Sequence, residues 1–174
     1  ILKFDRLLET YFGCAPSGLT SFLRAMPLWL KEKIYFRKLL KDGLKKFSKN
    51  KHPPVFFSEH HLSHAASAFF PSPYENAAIL CIDGVGEWAS TSAWIGRKNE
   101  IKPLFEIHYP HSLGLLYSTF TGYLGFKVNS GEYKMMGLAP YGKPIYKELI
   151  LNEVITLFED GSFQLNLKYF NFTK

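Results

Sequence analysis

The chain has 174 residues, 47% of them hydrophobic and 17% aromatic, enough for one domain with a real core, which excludes a disordered chain. No uninterrupted apolar run approaches the roughly 20 residues that a membrane-spanning helix needs, so no membrane association is expected. The net charge of +6 leaves room for a nucleic acid or another phosphate-bearing partner.

The opening stretch, "ILKFDRLLET", has no initiator Met and no signal-peptide core. No targeting segment is expected, and the chain reads as one entered partway through. Residues 1–50 carry helical spacing, with Pro27 expected to mark a break or a fresh start. Most of the excess charge lies in residues 31–51, which hold nine Lys or Arg against two acids. Phe36, Leu40, Leu44 and Phe47 share one helical face there, so an amphipathic helix with a solvated basic side is expected. Nucleic-acid binding is not expected, because no recognised motif accompanies the charge. "KHPP" then ends the helix, and "VFF" reads as a short buried strand. Cys14 and Cys81, the two cysteines, fit free thiols in a reducing cytoplasm.

"SEHHLSHAASAFF", residues 58–70, holds three of the six histidines. Ser58 is the candidate cap of a helix there. On such a helix His60 and His64 share a face one turn apart and can bite one divalent metal. The other reading is a hydrogen-bonded cluster under a loop. His61 points away from the pair and is expected to support it or to be structural. A complete metal site needs at least a third ligand, and none is evident from the chain. His108 and His111 fall in a strand-to-helix turn, where substrate contact is the alternative.

"AAILCID", "ASTSAWIG" and "IKPLFEIHY" are three strands of a meander, joined by "DGVGEW" and "RKNE" as turns. Asp83 ends the first strand ahead of Gly84 and Gly86. Small residues there let backbone N–H groups approach an anion, while Asp83 can hold a cation or its water. Asp-Gly is also the commonest hairpin signal, and the two readings are compatible. "HSLGLLYSTFTGYLG" is a helix capped by Ser112. "NSGEYKMMGLAPYG" is too Gly-rich for an ordinary helix. It reads as a binding loop with Glu132 and Lys134 as its charged candidates, or as an exposed turn with an ion pair. A helix over about 145–158 and a strand in "GSFQLNL" close an α/β chain.

In this order the pieces resemble the carbamoyltransferases of the NodU/CmcH type, which O-carbamoylate antibiotics, Nod factors and other natural products. The resemblance rests on "SEHHLSHAASAFFPSPYENAAILCIDGVGEWAS", "HSLGLLYSTFTGYLGFKVNSGEYKMMGLAPYG" and, more loosely, "DGSFQLNLKYFNF". It implies a fragment of a TsaD-like domain in the actin/Hsp70/sugar-kinase-like (ribonuclease H-like) two-lobed ATPase fold, with an N-terminal helical segment. Residues 1–75 would end the first lobe, with a helical insertion and the histidine helix. Residues 76–174 would start the second.

The same resemblance implies that His60 and His64 hold a divalent metal, iron or else zinc, with an aspartate from much further along. Asp83, Gly84 and Gly86 match the family's phosphate loop, with Asp83 among the catalytic residues and Glu132 and Lys134 as further contacts. The implied reaction takes ATP, with magnesium, and carbamoyl phosphate to a carbamoyl-adenylate, which a hydroxyl of a small-molecule acceptor attacks. The first phosphate strand, the distal aspartate and a YrdC-like domain are expected in the remainder of a full-length cytoplasmic enzyme. A fragment inactive by itself is therefore expected. The competing readings are a sugar kinase or other phosphotransferase of the same superfold, and a non-catalytic module binding through residues 31–51.

Overall fold

A computed structural model describes residues 2–47 and 54–172. The chain divides into two compact units, one running to Glu59 and the other spanning His60–Phe172. The first is helical, with α1 at Leu2–Cys14, α2 at Leu19–Leu28 and α3 at Phe36–Lys45. Tyr11 stacks on Phe22 with ring centroids 4.3 Å apart, tying α1 to α2. Pro27 does not break the helix as expected; it lies inside α2, and a turn of π-helix follows at Trp29–Lys33. A proline removes one donor and crowds the carbonyl four residues back, but the ladder resumes directly after it, with the Trp29 N–H bonded to Ala25 O and Met26 O.

Phe36, Leu40 and Leu44 line one groove on α3 with Leu39, Glu32 and Lys33, whereas Phe47 lies beyond the end of α3 and is exposed. Helix α3 stops at Lys45, and residues 51–53 of "KHPP" lie outside the described residues. The buried strand expected at "VFF" does not form, and Phe56 is 86% exposed. Three apolar residues make a strand only where a neighbour takes up their N–H and C=O groups, and neither sheet includes them.

The second unit opens with α4, His60–Phe69, followed by β1 at Asn76–Ile82, β2 at Ala89–Arg97 and β3 at Glu100–His108. The strands form an antiparallel meander in the order β1-β2-β3, with Ile82 opposite Thr91 and Asn76 opposite Arg97. Ala65 and Phe69 of α4 pack on Ile79, Cys81 and Trp94 of the sheet. These residues are four apart on the helix and alternate along β1, the two periods that let a helix and a strand present one face each. Phe69 lies flat against Gly96, where a Cβ would come within 2.6 Å of the ring.

Helix α5 spans Leu113–Tyr123 and is capped by Ser112, whose Oγ accepts the Leu115 N–H at 3.0 Å. The stretch read as too Gly-rich for a helix forms α6, Glu132–Leu138. Only Gly137 falls within its interior, and Glu132 ties down its start by accepting the N–H groups of Asn129 and Gly131. The helix expected over 145–158 is shorter. It comprises α7, Lys147–Leu149, and a π-turn at Ile150–Val154, after which the chain switches to β4, Ile155–Leu157. Strand β4 pairs with β5, Phe163–Leu165, across a turn in which Gly161 takes φ +83°. The Asp160–Gly161 hairpin signal thus outweighs the helical spacing before it. Ile155, Phe163 and Leu165 form a second core against Leu113 and Leu116 of α5. The architecture is mixed α/β with small antiparallel sheets, and no helix among the described residues is long and apolar enough to cross a membrane.

Candidate metal centre

Helix α4 buries His61, Ala65 and Phe69 against the sheet, which leaves His60 and His64 on its neighbouring edge. Packing α4 on β1 brings the strand's end, and with it Asp83, to this edge. His60 Nε2 lies 2.6 Å from Asp83 Oδ2 and 3.0 Å from His64 Nε2, and His64 Nε2 lies 3.9 Å from the same Oδ2. Ligand atoms on one metal, at bond lengths of about 2.0–2.1 Å, sit about 3.0–3.4 Å from each other, so these separations bracket a coordination edge. Protons serve the cluster badly. A hydrogen on His60 Nε2 can point at Asp83 or at the His64 nitrogen, but it cannot be well directed at both. A cation satisfies all three lone pairs at once, so the donor set fits a divalent metal. The His64 side chain is 54% exposed and that of Asp83 33%, so the cluster opens to solvent.

Asp83 is held from three sides. Its N–H donates to Ser90 O at 2.8 Å and its Oδ1 accepts the Gly84 N–H at 2.6 Å. Ser112 Oγ reaches the carbonyls of Asp83 and Gly84 at 3.1 and 2.6 Å. Gly114 lets α5 come this close, since a Cβ there would lie 2.5 Å from the Asp83 and Gly84 backbone. Burial pushes the Asp83 carboxyl up, but the Gly84 N–H and the His60 and His64 imidazoles outweigh it and hold the group below its ordinary range.

The turn 83–88 also grips the helix start, because Glu87 Oε2 accepts the His60 N–H at 3.0 Å. His61 is 3% exposed, its Nδ1 lies 2.6 Å from Ser92 Oγ, and Trp94 Nε1 donates to the same hydroxyl at 2.7 Å. Burial lowers the His61 pKa, which keeps this imidazole neutral and structural. Among the described contacts its buried Nε2 has no hydrogen-bond partner.

The other sequence candidates lie as follows. The Gly84 N–H turns to Asp83, and the Gly86 N–H donates to Ala89 O at 2.8 Å. A Cβ on Gly86 would meet His61 Cδ2 at 3.1 Å and His60 Cδ2 at 3.2 Å, so this glycine lets the turn lie against both imidazoles. Glu132 binds Ser118 Oγ at 3.1 Å besides its own turn, and Lys134 stands 6.0 Å from the Tyr133 ring centroid. His111 Nδ1 accepts the Leu165 N–H at 3.1 Å, and His108 pairs with Glu106 at 3.0 Å; neither joins the cluster. Sequence reading looked for the third donor far downstream, while Asp83 already stands beside both histidines. It also passed over Glu87, Ser92 and Gly114. Glu87 carried a signal, an acid directly after a glycine turn, but not one that names its partner.

Residues 2–174 match the family described as Carbamoyltransferase N-terminus. The chain belongs to that family. The chain is 59% identical over 175 residues to Uncharacterized protein sll1178 of Synechocystis sp., covering 99% of the chain and 28% of that protein. It is 42% identical over 113 residues to Nodulation protein NolNO of Sinorhizobium fredii, covering 65% of the chain and 16% of that protein. To Nodulation protein NolO of Bradyrhizobium diazoefficiens it is 38% identical over 109 residues, covering 62% and 20% respectively. The chain thus spans less than a third of the length of these relatives.

Proposed function

We propose that His60, His64 and Asp83 hold a divalent metal, iron or zinc, in an ATP-dependent carbamoyltransferase. The carbamoyl group of carbamoyl phosphate passes, through carbamoyl-adenylate, to a hydroxyl of a small natural product or sugar. The observation that carries this reading is the convergence of three donors beside the turn 83–88 in a chain of the carbamoyltransferase N-terminus family. Imidazole and carboxylate together suit either metal. Bound there, the cation supplies positive charge toward a phosphoryl or carbonyl oxygen.

The chain's own residues supply the setting. Asp83 stays ionised and presents Oδ2 to the histidines while its Oδ1 is held by Gly84. Gly84 and Gly86 belong to the turn that faces nucleotide phosphate in this reading; their own N–H groups are taken up by Asp83 and Ala89, and Gly86 lets the turn pack closely against the histidines. Lys134 offers a mobile positive charge to nucleotide or substrate, and Glu132 fixes the start of the helix that carries it. In this reading residues 1–75 end the first lobe, and residues 76–174 start the second, of a two-lobed ATPase fold of the actin, Hsp70 and sugar-kinase type. The rest of a longer cytoplasmic protein, including a YrdC-like domain, completes the enzyme, and residues 1–174 alone are inactive.

The test compares the full-length protein with its His60→Ala/His64→Ala variant for metal content and for ATP-dependent transfer from carbamoyl phosphate to hydroxyl acceptors. Stoichiometric metal that disappears together with activity is the expected result. A metal-free variant with full activity, or phosphoryl transfer to a sugar in its place, overturns the proposal.

A further inference from the structure

The metal reading leaves one carboxylate beside the donor set without a role. Glu87 lies four residues after Asp83 on the same turn, and the two grip His60 at different ends. Asp83 Oδ2 meets the imidazole at 2.6 Å, and Glu87 Oε2 accepts the main-chain N–H at 3.0 Å. His60 is the first residue of α4, so its N–H is one of the four with no partner inside the helix. A helix frays from its first residue, and here that residue carries a donor atom. His64 is one turn further in and is held by the ladder itself. The partner of the His60 N–H comes from 27 residues away and not from the adjoining chain. It therefore fixes the helix start relative to the turn, which a local cap would not do.

The turn is a firm anchor. The Asp83 N–H donates to Ser90 O and the Gly86 N–H to Ala89 O, both at 2.8 Å, and Ser112 clamps the Asp83 and Gly84 carbonyls. Gly86 lies against the Cδ2 edges of His60 and His61, so the turn meets the helix start at this glycine as well as at Glu87. A carboxylate at a helix N-terminus is also favourably placed in the field of the helix.

We propose that Glu87 is the positioning residue of the donor set: its hydrogen bond to the His60 main chain sets the distance from the His60 imidazole to Asp83. Glu87 contributes no ligand atom. This inference deepens the metal reading of the same site and rests on it for its first readout. Its second readout needs no metal.

The experiment uses the full-length protein, wild type against Glu87→Ala and Glu87→Gln. The first readout is Zn²⁺ affinity by chelator competition. Loss of a group that orients a ligand weakens metal binding about 10- to 100-fold, and that is the expectation for Glu87→Ala. Glu87→Gln keeps an amide oxygen that can accept the His60 N–H and stays within about fivefold of wild type. The second readout, on metal-free protein, is amide hydrogen exchange at His60. Exchange is faster in Glu87→Ala and near wild type in Glu87→Gln.

A folded Glu87→Ala protein with wild-type Zn²⁺ affinity overturns the proposal. So does a Gln variant as weak as the Ala variant, because the hydrogen bond is then not what acts. If wild type takes up no Zn²⁺, the metal reading fails on its own, and hydrogen exchange decides the positioning role. Unchanged exchange at His60 in Glu87→Ala overturns it there.

Discussion

Gly114→Ala tests whether α5 is what holds Asp83 in place. A Cβ at this position would lie 2.5 Å from Asp83 C, Asp83 O and Gly84 N. Unbonded carbons ordinarily approach to about 3.5–4.0 Å, so the overlap is about 1 Å, and it is against backbone on the far side. No rotamer relieves it, since Asp83 is held by its bond to Ser90 and by the Ser112 hydroxyl. Overpacking of this kind costs roughly 1–3 kcal/mol, and the rigid neighbour puts the cost at the upper end. Replacing a helical Gly by Ala returns up to about 1 kcal/mol, which leaves a net loss near 2 kcal/mol. For a unit of this size that is a fall of roughly 6–10 °C in Tm. Any shift of Asp83 also moves Oδ2 from the histidines, so Zn²⁺ affinity is expected to fall about tenfold or more. Circular-dichroism melting and chelator competition measure the two effects. Gly137→Ala is the control, because a Cβ there meets nothing within 4 Å, and its Tm should hold or rise. A Gly114→Ala protein that melts and binds Zn²⁺ like wild type would refute the reasoning.

Ser112→Ala removes the cap on the Leu115 N–H and both bonds to the Asp83 and Gly84 carbonyls, so a loss of about 1–2 kcal/mol is expected in urea unfolding. An unchanged midpoint would show that these bonds are replaced by water at no cost. His111 governs a pH dependence. Its Nδ1 accepts the Leu165 N–H, and burial lowers its pKa from the ordinary 6.5. The unfolded chain therefore takes up the proton first, and stability falls as pH drops from 6.5 through the lowered folded value, then levels off. His61, also lowered by burial, adds to the same slope. His111→Asn keeps an acceptor and does not titrate, so the acid-side slope of stability should become shallower; an unchanged slope would rule His111 out.

The parts of this fold that could be read in advance are those governed by near neighbours. His60 and His64 share a face because a helix repeats that way, and Ser112 caps α5 because its side chain and the Leu115 N–H are three residues apart. The meander followed from apolar runs between turn signals. Asp83 meets His60 only because Ala65 and Phe69 pack on Ile79 and Cys81, a tertiary event that no spacing rule contains. Glu87 and Gly114 belong to the same class, each acting on a residue far away in sequence. Two local misreadings had simpler causes. Counting glycines across 129–142 hid α6, in whose interior only Gly137 falls, and extending helical spacing through Ile155 overrode the Asp160–Gly161 turn that pairs β4 with β5.

The donor set is also compact along the chain, with 23 residues from His60 to Asp83. Closing so short a loop costs little chain entropy, and the contacts that reward closure are those of one helix with the hairpin that follows it. Low contact order of this kind favours early formation during folding. The three donors can therefore come together as soon as α4 settles on β1 and β2, without waiting for β4 and β5 to pair near the other end of the unit.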